Sequence, residues 1–545
     1  MTRHHIIIAC VAIVLFVPFL GDVRLFDWDE INFAENAREM IETGDYLHMQ
    51  IDYHPFYEKP PLFIWLQVLS MKVFGVNAFA ARFPNAIIGV ITLLVVFNIG
   101  SLLYGSRFGL LWVLAYGGSL LPHFYFRSGI IDPLFNLFIF LGVWALLHHR
   151  GLLGGVWVGL AIMTKGPVGY LLVMLTTAIA SIALRKKYAL PWKQVLTSTA
   201  VAAVIPALWF GIDYLQNGPA FILENIHYQW RLLTTGEAGH EQPWYYHPVV
   251  VMIGCFPASV FFLGAMRRSD AETDSQQRMR IWMTVLFFVV LVLFSVVKTK
   301  IIHYSSMTYL PLTFLAAVYL HRWLLGGKTF PRPVTVGVVL LSTTLSALLV
   351  FVPLVLMNKQ WLYSLSTFRD VYLRSALQQD VAIPSVAPFI GVILLSSTVV
   401  ALLLQRGNHR ETSVAVLFGG VALVVFLFLP ILAPSIERYS QGSALDFYES
   451  VRGKQVYVKP LTMKSYAHLF YTNKPPTLSG ASRGISADAW EPWLLSGAAD
   501  HPVYFVAKVT DADQWKADGR LRVIKEEGGF VFFSLSYLPA GSAAP

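Results

Sequence analysis

The chain has 545 residues, of which 56% are hydrophobic and only 13% charged, with a formal net charge of +9. Soluble domains carry about a quarter charged residues, so this composition excludes an ordinary soluble protein and indicates an integral membrane protein. The positive charge does not point to nucleic acid, because Lys and Arg collect in the cytoplasmic loops of membrane proteins.

The chain opens with a basic MTRHH and an apolar run from Ile6 to Leu20. A cleaved signal would need small residues near its end. Val17-Pro18-Phe19-Leu20 has none, so the run reads as a first span. A span needs about 20 mainly apolar residues. Thirteen segments qualify or nearly so: 6–21, 83–103, 108–124, 129–147, 152–164, 167–184, 195–215, 248–266, 281–297, 304–322, 334–356, 385–404 and 413–432. Cys10 and Cys255 both lie in such runs, which argues against a disulfide framework or a thiolate metal site. Arg3, Arg107, Arg150, Arg185-Lys186-Lys187, Arg267-Arg268, Arg322 with Lys328, and Arg406 with Arg410 then fall on one side, the cytoplasm. The other side receives the pieces 22–82, 216–247 and 433–545. The expected fold is a polytopic α-helical membrane protein of about thirteen spans, residues 1–432, followed by a small C-terminal α/β or α+β soluble domain, residues 433–545.

Within the first external piece, LFDWDEINFAENAREMIETGDY (Leu25 to Tyr46) holds seven acidic side chains. Ile31, Ala34, Ala37, Met40 and Ile41 recur at helical spacing. The pattern predicts a short amphipathic helix on the outer membrane surface, with Asp27 as N-cap, Glu30 completing a capping box and Gly44 ending it. Carboxylates in the first turn also suit the helix dipole. YHPFYEKPPLFIWLQVL follows, where Pro60-Pro61 hold Glu58-Lys59 ahead of a second apolar face. Alone, that tetrapeptide is an ordinary turn. In the tail, KQVYVK and PVYFVAKV read as strands, MKSYAHLFY as a helix, and LRVIKEEGGFVFFSLS as a hairpin turning at Gly528-Gly529.

Taken in order, the DE helix, the EKPP turn, RSGIIDPLFNLF (Arg127 to Phe138), GLAIMTKGPVGY (Gly159 to Tyr170) and KTKIIHYSSMTYLP (Lys298 to Pro311) resemble the polyprenyl-phosphate-dependent glycosyltransferases of the C superfamily. This group includes the protein O-mannosyltransferases and the lipid A aminoarabinose transferases. The resemblance implies an inverting transferase in the bacterial inner membrane. It would move a sugar from a polyprenyl-phosphate donor to a lipid A, glycan or protein acceptor on the periplasmic face.

Such chemistry has two demands. The departing phosphate needs fixed cations or hydrogen-bond donors. A hydroxyl acceptor needs a base, whereas a phosphate acceptor, as on lipid A, is already anionic, and a carboxylate beside it would orient or repel more than deprotonate. The family motif puts its key acid at Asp29, with Glu30 as neighbour and Asp132 as a further cavity candidate that pairs with Arg127 in the alternative. For the phosphate the candidates are Lys59, Arg231, Lys298, Lys300 and Tyr304; simple snorkelling at a span end also accounts for the two lysines of KTK and for Lys165. Glu58 with His227 or His240 would be the ligands if a divalent cation is used, though no cofactor is required by the pattern. Two departures stand out. The aminoarabinose branch commonly has Arg three residues after its acid, where this chain has Asn32. The Pro usual three residues after the motif Tyr is Met307 here. A flippase for lipid-linked sugars would carry inverted repeats and broken helices facing both sides, which the sequence does not display; an oligosaccharide ligase using the same donor class stays open.

Overall fold

The computed structural model describes residues 2–184, 190–236, 241–267, 271–326, 329–360, 362 and 370–536. The apolar runs form helices α1 (Arg3–Phe16), α4 (Ala78–Tyr104), α5 (Ser106–Gly117), α6 (Leu120–Tyr125), α7 (Asp132–Leu147), α8 (Gly151–Lys165), α9 (Val168–Ala183) and α10 (Trp192–Asn217). The first external piece contributes α2 (Asp29–Thr43), the two-residue strands β1 (Gln50–Ile51) and β2 (His54–Pro55), and α3 (Leu62–Phe74). Then follow α11 (Ala220–Thr234), α12 (Tyr246–Gly254), α13 (Ala258–Phe261), α14 (Asp274–Val296), α15 (Tyr309–Gly326) and α16 (Arg332–Met357).

Among the described residues six helices are long and apolar enough to cross a membrane: α4, α10, α14, α16, Phe389–Arg406 and Arg410–Ile431. A seventh span results if Tyr246–Gly254 and Ala258–Ala265, which meet at 108°, count as one. Pro257 lies in that break, and a proline removes the hydrogen bond that would carry the helix through. The chain is therefore a multi-pass membrane protein. Each of the thirteen marked segments falls on helical structure, but 108–124 is interrupted between α5 and α6, and several helices are shorter than a full span.

Helix α2 departs from expectation in two ways. Trp28, not Asp27, is its N-cap residue, with no side-chain cap bond, while Gly44 (φ 73°) closes it in the left-handed conformation as expected. The helix is not a surface element either, since every residue from Glu30 to Met40 is buried. One side packs on α3 and α4, the other on the tail helix Ala467–Thr472. Ile31, Ala34, Ala37 and Met40 share one apolar core with Leu445, Tyr448, Phe470, Tyr471, Tyr504 and Phe532 of the tail. The periodicity identified the apolar face correctly. What it could not reveal was a second cover over the polar face.

That polar face is satisfied internally. Arg38 donates to both oxygens of Glu35 at 2.8 and 2.6 Å. The β1–β2 turn is formed by Asp52 and Tyr53, both at positive φ (56° and 60°), and their backbone N–H groups donate to Glu39 at 2.8 and 2.9 Å. Tyr53 in turn donates its hydroxyl to the Lys474 carbonyl at 2.6 Å.

The tail carries a four-stranded sheet of order β3 (Tyr457–Pro460), β4 (Val503–Lys508), β6 (Phe530–Leu535), β5 (Leu521–Glu527). β3 and β4 run parallel and the other pairs antiparallel. Gly528 and Gly529 turn the hairpin at φ 62° and 86°, the conformation a tight two-residue turn needs.

Candidate functional site

Several helix ends meet at the outer rim of the helical body. Asp132 opens α7, where a carboxylate favours the positive end of the helix dipole, and Pro133 follows in the first turn. Lys165 closes α8, where a cation favours the negative end, and Gly166 (φ 84°) lets the chain turn away. α7 and α8 pack side by side, so the two charges meet: Lys165 Nζ lies 2.6 Å from Asp132 Oδ1. Asp132 is 1% exposed and Lys165 8%. The expected alternative partner of Asp132, Arg127, instead donates to the carbonyls of Pro18 and Phe426. The snorkelling account of Lys165 gives way to a buried ion pair.

The motif after α14 folds as a 3-10 helix, Ile302–Thr308. Successive side chains in such a helix point about 120° apart. His303 and Tyr304 are consequently aimed into two different cavities. His303 lines a space of about 480 Å³ with Asp27, Asp29, Arg82 and Arg127, whose apolar wall includes Phe124, Phe428, Leu429 and Ile436. Tyr304 lines a second space of about 250 Å³ with Lys59, Lys165 and Gln229, walled by Leu171, Leu232, Leu233, Leu293, Phe294 and Val297. Leu171 and Leu233 are each 48% exposed, so the apolar wall of this second cavity runs out to the surface of the helical body.

Between the cavities stands a short chain of polar groups. His303 Nε2 lies 2.9 Å from Asp29 Oδ2 and 3.8 Å from Asp132 Oδ2. Ser306 Oγ donates to Asp132 Oδ1 at 3.4 Å and accepts from Asn136 at 2.9 Å. Lys165 also sits over the Tyr304 ring, 4.9 Å from its centroid. Lys59 donates to the Tyr228 hydroxyl at 3.1 Å. Its loop is held by Asn225, which donates to the carbonyls of Tyr57 and Glu58 at 3.0 and 3.2 Å. Burial raises the Asp29 carboxyl, but His303, Lys59 and Lys165 outweigh it and hold Asp29 below the usual carboxylate range. The arrangement suits a base kept ionised beside one cavity and ammonium groups beside the other.

The sequence-named residues divide accordingly. Asp29, Asp132, Lys59 and Tyr304 come together. Glu30 is fully committed to structure. It takes a bidentate bond from Arg82 at 2.9 and 2.7 Å and accepts from the N–H groups of Phe26 and Gly129. Arg231 lies near the exposed end of α11, 5.9 Å from the Tyr228 ring, one step from Lys59. Lys298 is exposed, Lys300 is buried within electrostatic range of His247, and neither lines either cavity. For the cation, His227 is exposed beside Glu224 at 4.0 Å, and His240 lies outside the described residues. Among the described residues no three His, Cys, Asp or Glu side chains gather as a metal site, so Glu58 finds no such partners there. Sequence reasoning passed over His303 and Arg82. The signal for His303 was present in a polar, ionisable side chain directly before the motif tyrosine.

A multi-pass helical body with a buried carboxylate beside one cavity and ammonium groups beside another accompanies a likeness in sequence: the chain is similar to the polyprenyl-phosphate-dependent glycosyltransferases of the C superfamily. A family model described as dolichyl-phosphate-mannose-protein mannosyltransferase matches residues 58–210. The chain is 26% identical over 339 residues to the undecaprenyl phosphate-alpha-4-amino-4-deoxy-L-arabinose arabinosyl transferase of Pectobacterium carotovorum, covering 58% of this chain and 59% of that protein. It is 28% identical over 330 residues to the protein of the same name from Edwardsiella ictaluri, covering 56% and 57%. These alignments thus span less than two thirds of either relative. An uncharacterised Aquifex aeolicus protein is 28% identical over 329 residues, covering 59% of this chain and 74% of that one. In fold, ArnT from Cupriavidus metallidurans bound to undecaprenyl phosphate matches with a TM-score of 0.75 at 20% identity, over 99% of both chains.

Proposed function

We propose that this protein is a membrane glycosyltransferase that moves a sugar from an undecaprenyl-phosphate donor to an acyl-chain-bearing acceptor such as lipid A. The observation that carries this is the pair of cavities separated by Asp29, His303, Asp132 and Lys165. The smaller cavity, with two lysines, a tyrosine and an apolar wall that runs out to the surface of the helical body, suits a phosphate with a polyprenyl chain. Lys59, Lys165 and Tyr304 would hold that phosphate, with Arg231 at its entrance. The larger cavity has apolar walls suited to acyl chains and brings the acceptor oxygen to Asp29. The oxygen of an acceptor hydroxyl bonds to the anomeric carbon from the face opposite the phosphate, the carbon–phosphate oxygen bond breaks with its electron pair on the phosphate, and the hydroxyl proton passes to Asp29. One base and one displacement give inversion. The site faces the periplasm of a bacterial inner membrane, with thirteen spans, some short or broken, and the tail on the same side as the site.

The test is transfer by the purified full-length protein in nanodiscs, with radiolabelled undecaprenyl-phosphate aminoarabinose as donor and lipid A as acceptor. Labelled lipid A with release of undecaprenyl phosphate, both lost in Asp29→Asn, is expected. Movement of intact donor between leaflets without transfer would replace this reading with a flippase.

A further inference from the structure

We propose that His303 is a positioning residue for Asp29: its Nε2–H fixes one carboxylate oxygen so that the other faces the acceptor cavity, and it turns toward Asp132 once Asp29 has taken the acceptor proton. This rests on the transferase reading above. Three observations carry it. First, Asp29 Oδ2 is 2.9 Å from His303 Nε2, and no described residue hydrogen-bonds the other oxygen. The carboxylate is thus half satisfied, on the rim of the larger cavity. Second, Asp132 Oδ2 is buried with no hydrogen-bond partner, although its sister oxygen is held by Lys165. A buried carboxylate oxygen without a partner is costly, so it persists where it has a use. Third, the same His303 Nε2 lies 3.8 Å from that orphan oxygen.

These distances define two positions for one N–H. With Asp29 ionised, the bond goes to Asp29. In the reaction the acceptor O–H proton moves to the free oxygen of Asp29. A neutral carboxylic acid is a poorer acceptor than a carboxylate, so the N–H is released to Asp132 Oδ2, less than 1 Å beyond normal reach. Return of the proton to water from Asp29 restores the starting bond. No atom is gained or lost by His303 in this cycle.

The charged and titratable groups around His303 are Asp27 and Asp29 at the start of α2, Arg82 from α4, Tyr125 and Arg127 at the end of α6, Asp132 from α7, Lys165 from α8, His247 from α12, Lys59 from the EKPP loop, and Lys300 and Tyr304 from its own segment. Replacing His303 leaves Lys59 and Lys165 in place, so the resulting change at Asp29 isolates the imidazole. The sign follows. Transfer needs Asp29 ionised, so the rate falls as pH drops through the Asp29 pKa. His303 lowers that pKa against burial. Removing His303 therefore moves the acid limb of the kcat profile to higher pH.

The experiment measures kcat and KM against pH for wild type, His303→Ala and His303→Gln with the nanodisc assay; all three keep Asp27, so its titration is common to every profile and the difference between them reports on Asp29. His303→Ala is expected to lower kcat by about 10²-fold, the cost of losing reactive geometry, leave the donor KM unchanged and shift the acid limb upward. His303→Gln, whose amide N–H reaches the same oxygen, is expected to restore most of kcat. Unfolding temperatures identify any variant that fails to fold. Wild type without transfer overturns the transferase reading itself. Wild type active, with His303→Ala keeping the wild-type acid limb or His303→Gln as impaired as His303→Ala, overturns the positioning role alone.

Discussion

The tip of α2 and its buried middle are both made of carboxylates close to cations, and they differ in how many hydrogen bonds each carboxylate receives. Glu30 receives four, from Arg82 and two backbone N–H groups. Glu39 takes two from the β1–β2 turn, and burial with Glu35 alongside pushes its carboxyl well up. Asp29, one residue from Glu30, receives one from His303, and its carboxyl is held low. The saturated groups fasten distant parts of the fold together. The unsaturated one keeps an oxygen free on the rim of the larger cavity. Adjacent residues of nearly equal chemistry are thus set apart by their partners, not by their own nature.

The contrast can be broken from either side. Asp29→Asn removes the base and should lower kcat by about 10²–10⁴-fold with an unchanged unfolding temperature; a parallel loss of stability would make Asp29 structural after all. Arg82→Ala leaves Glu30 buried and unpaired, so it should cost about 3–5 kcal/mol of stability, read by thermal or denaturant unfolding in detergent. Lys59→Ala belongs to the ligand side: it should reduce kcat/KM for the polyprenyl-phosphate donor by roughly 10²-fold and leave unfolding unaltered. The smallest effect belongs to Tyr53→Phe. It deletes the hydroxyl bond to the Lys474 carbonyl and two long contacts from Arg38 at 3.4 Å and should destabilise by about 1 kcal/mol, with transfer kinetics intact.

Much of this was legible in the sequence where a local rule governs. Apolar runs became helices, Gly44 and the Gly528-Gly529 turn ended elements as their φ freedom allows, and the four tail segments took the predicted forms. Asp29, Lys59, Asp132 and Tyr304 converged as the motif order implied. What escaped depends on partners distant in sequence. Glu30 looked like a capping acid because its real partner, Arg82, is 52 residues away. Lys298 and Lys300 looked equivalent, yet one is exposed and the other buried. His303 is the reverse case, an ionisable residue inside an apolar motif whose role appears only when α2 and α7 are brought against it.

The shared core between α2 and the tail has a consequence for biogenesis. Tyr53 and the Lys474 carbonyl are 421 residues apart in sequence, and chains fold in order as they are made. The loop that carries Asp29 is made early and must wait through every later insertion before its cover arrives. The surroundings of Asp29 are therefore completed late in synthesis. A chain stalled before its tail would hold its spans yet leave Leu25, Ile31 and Met40 uncovered, a form that chaperones and proteases can tell from the finished protein.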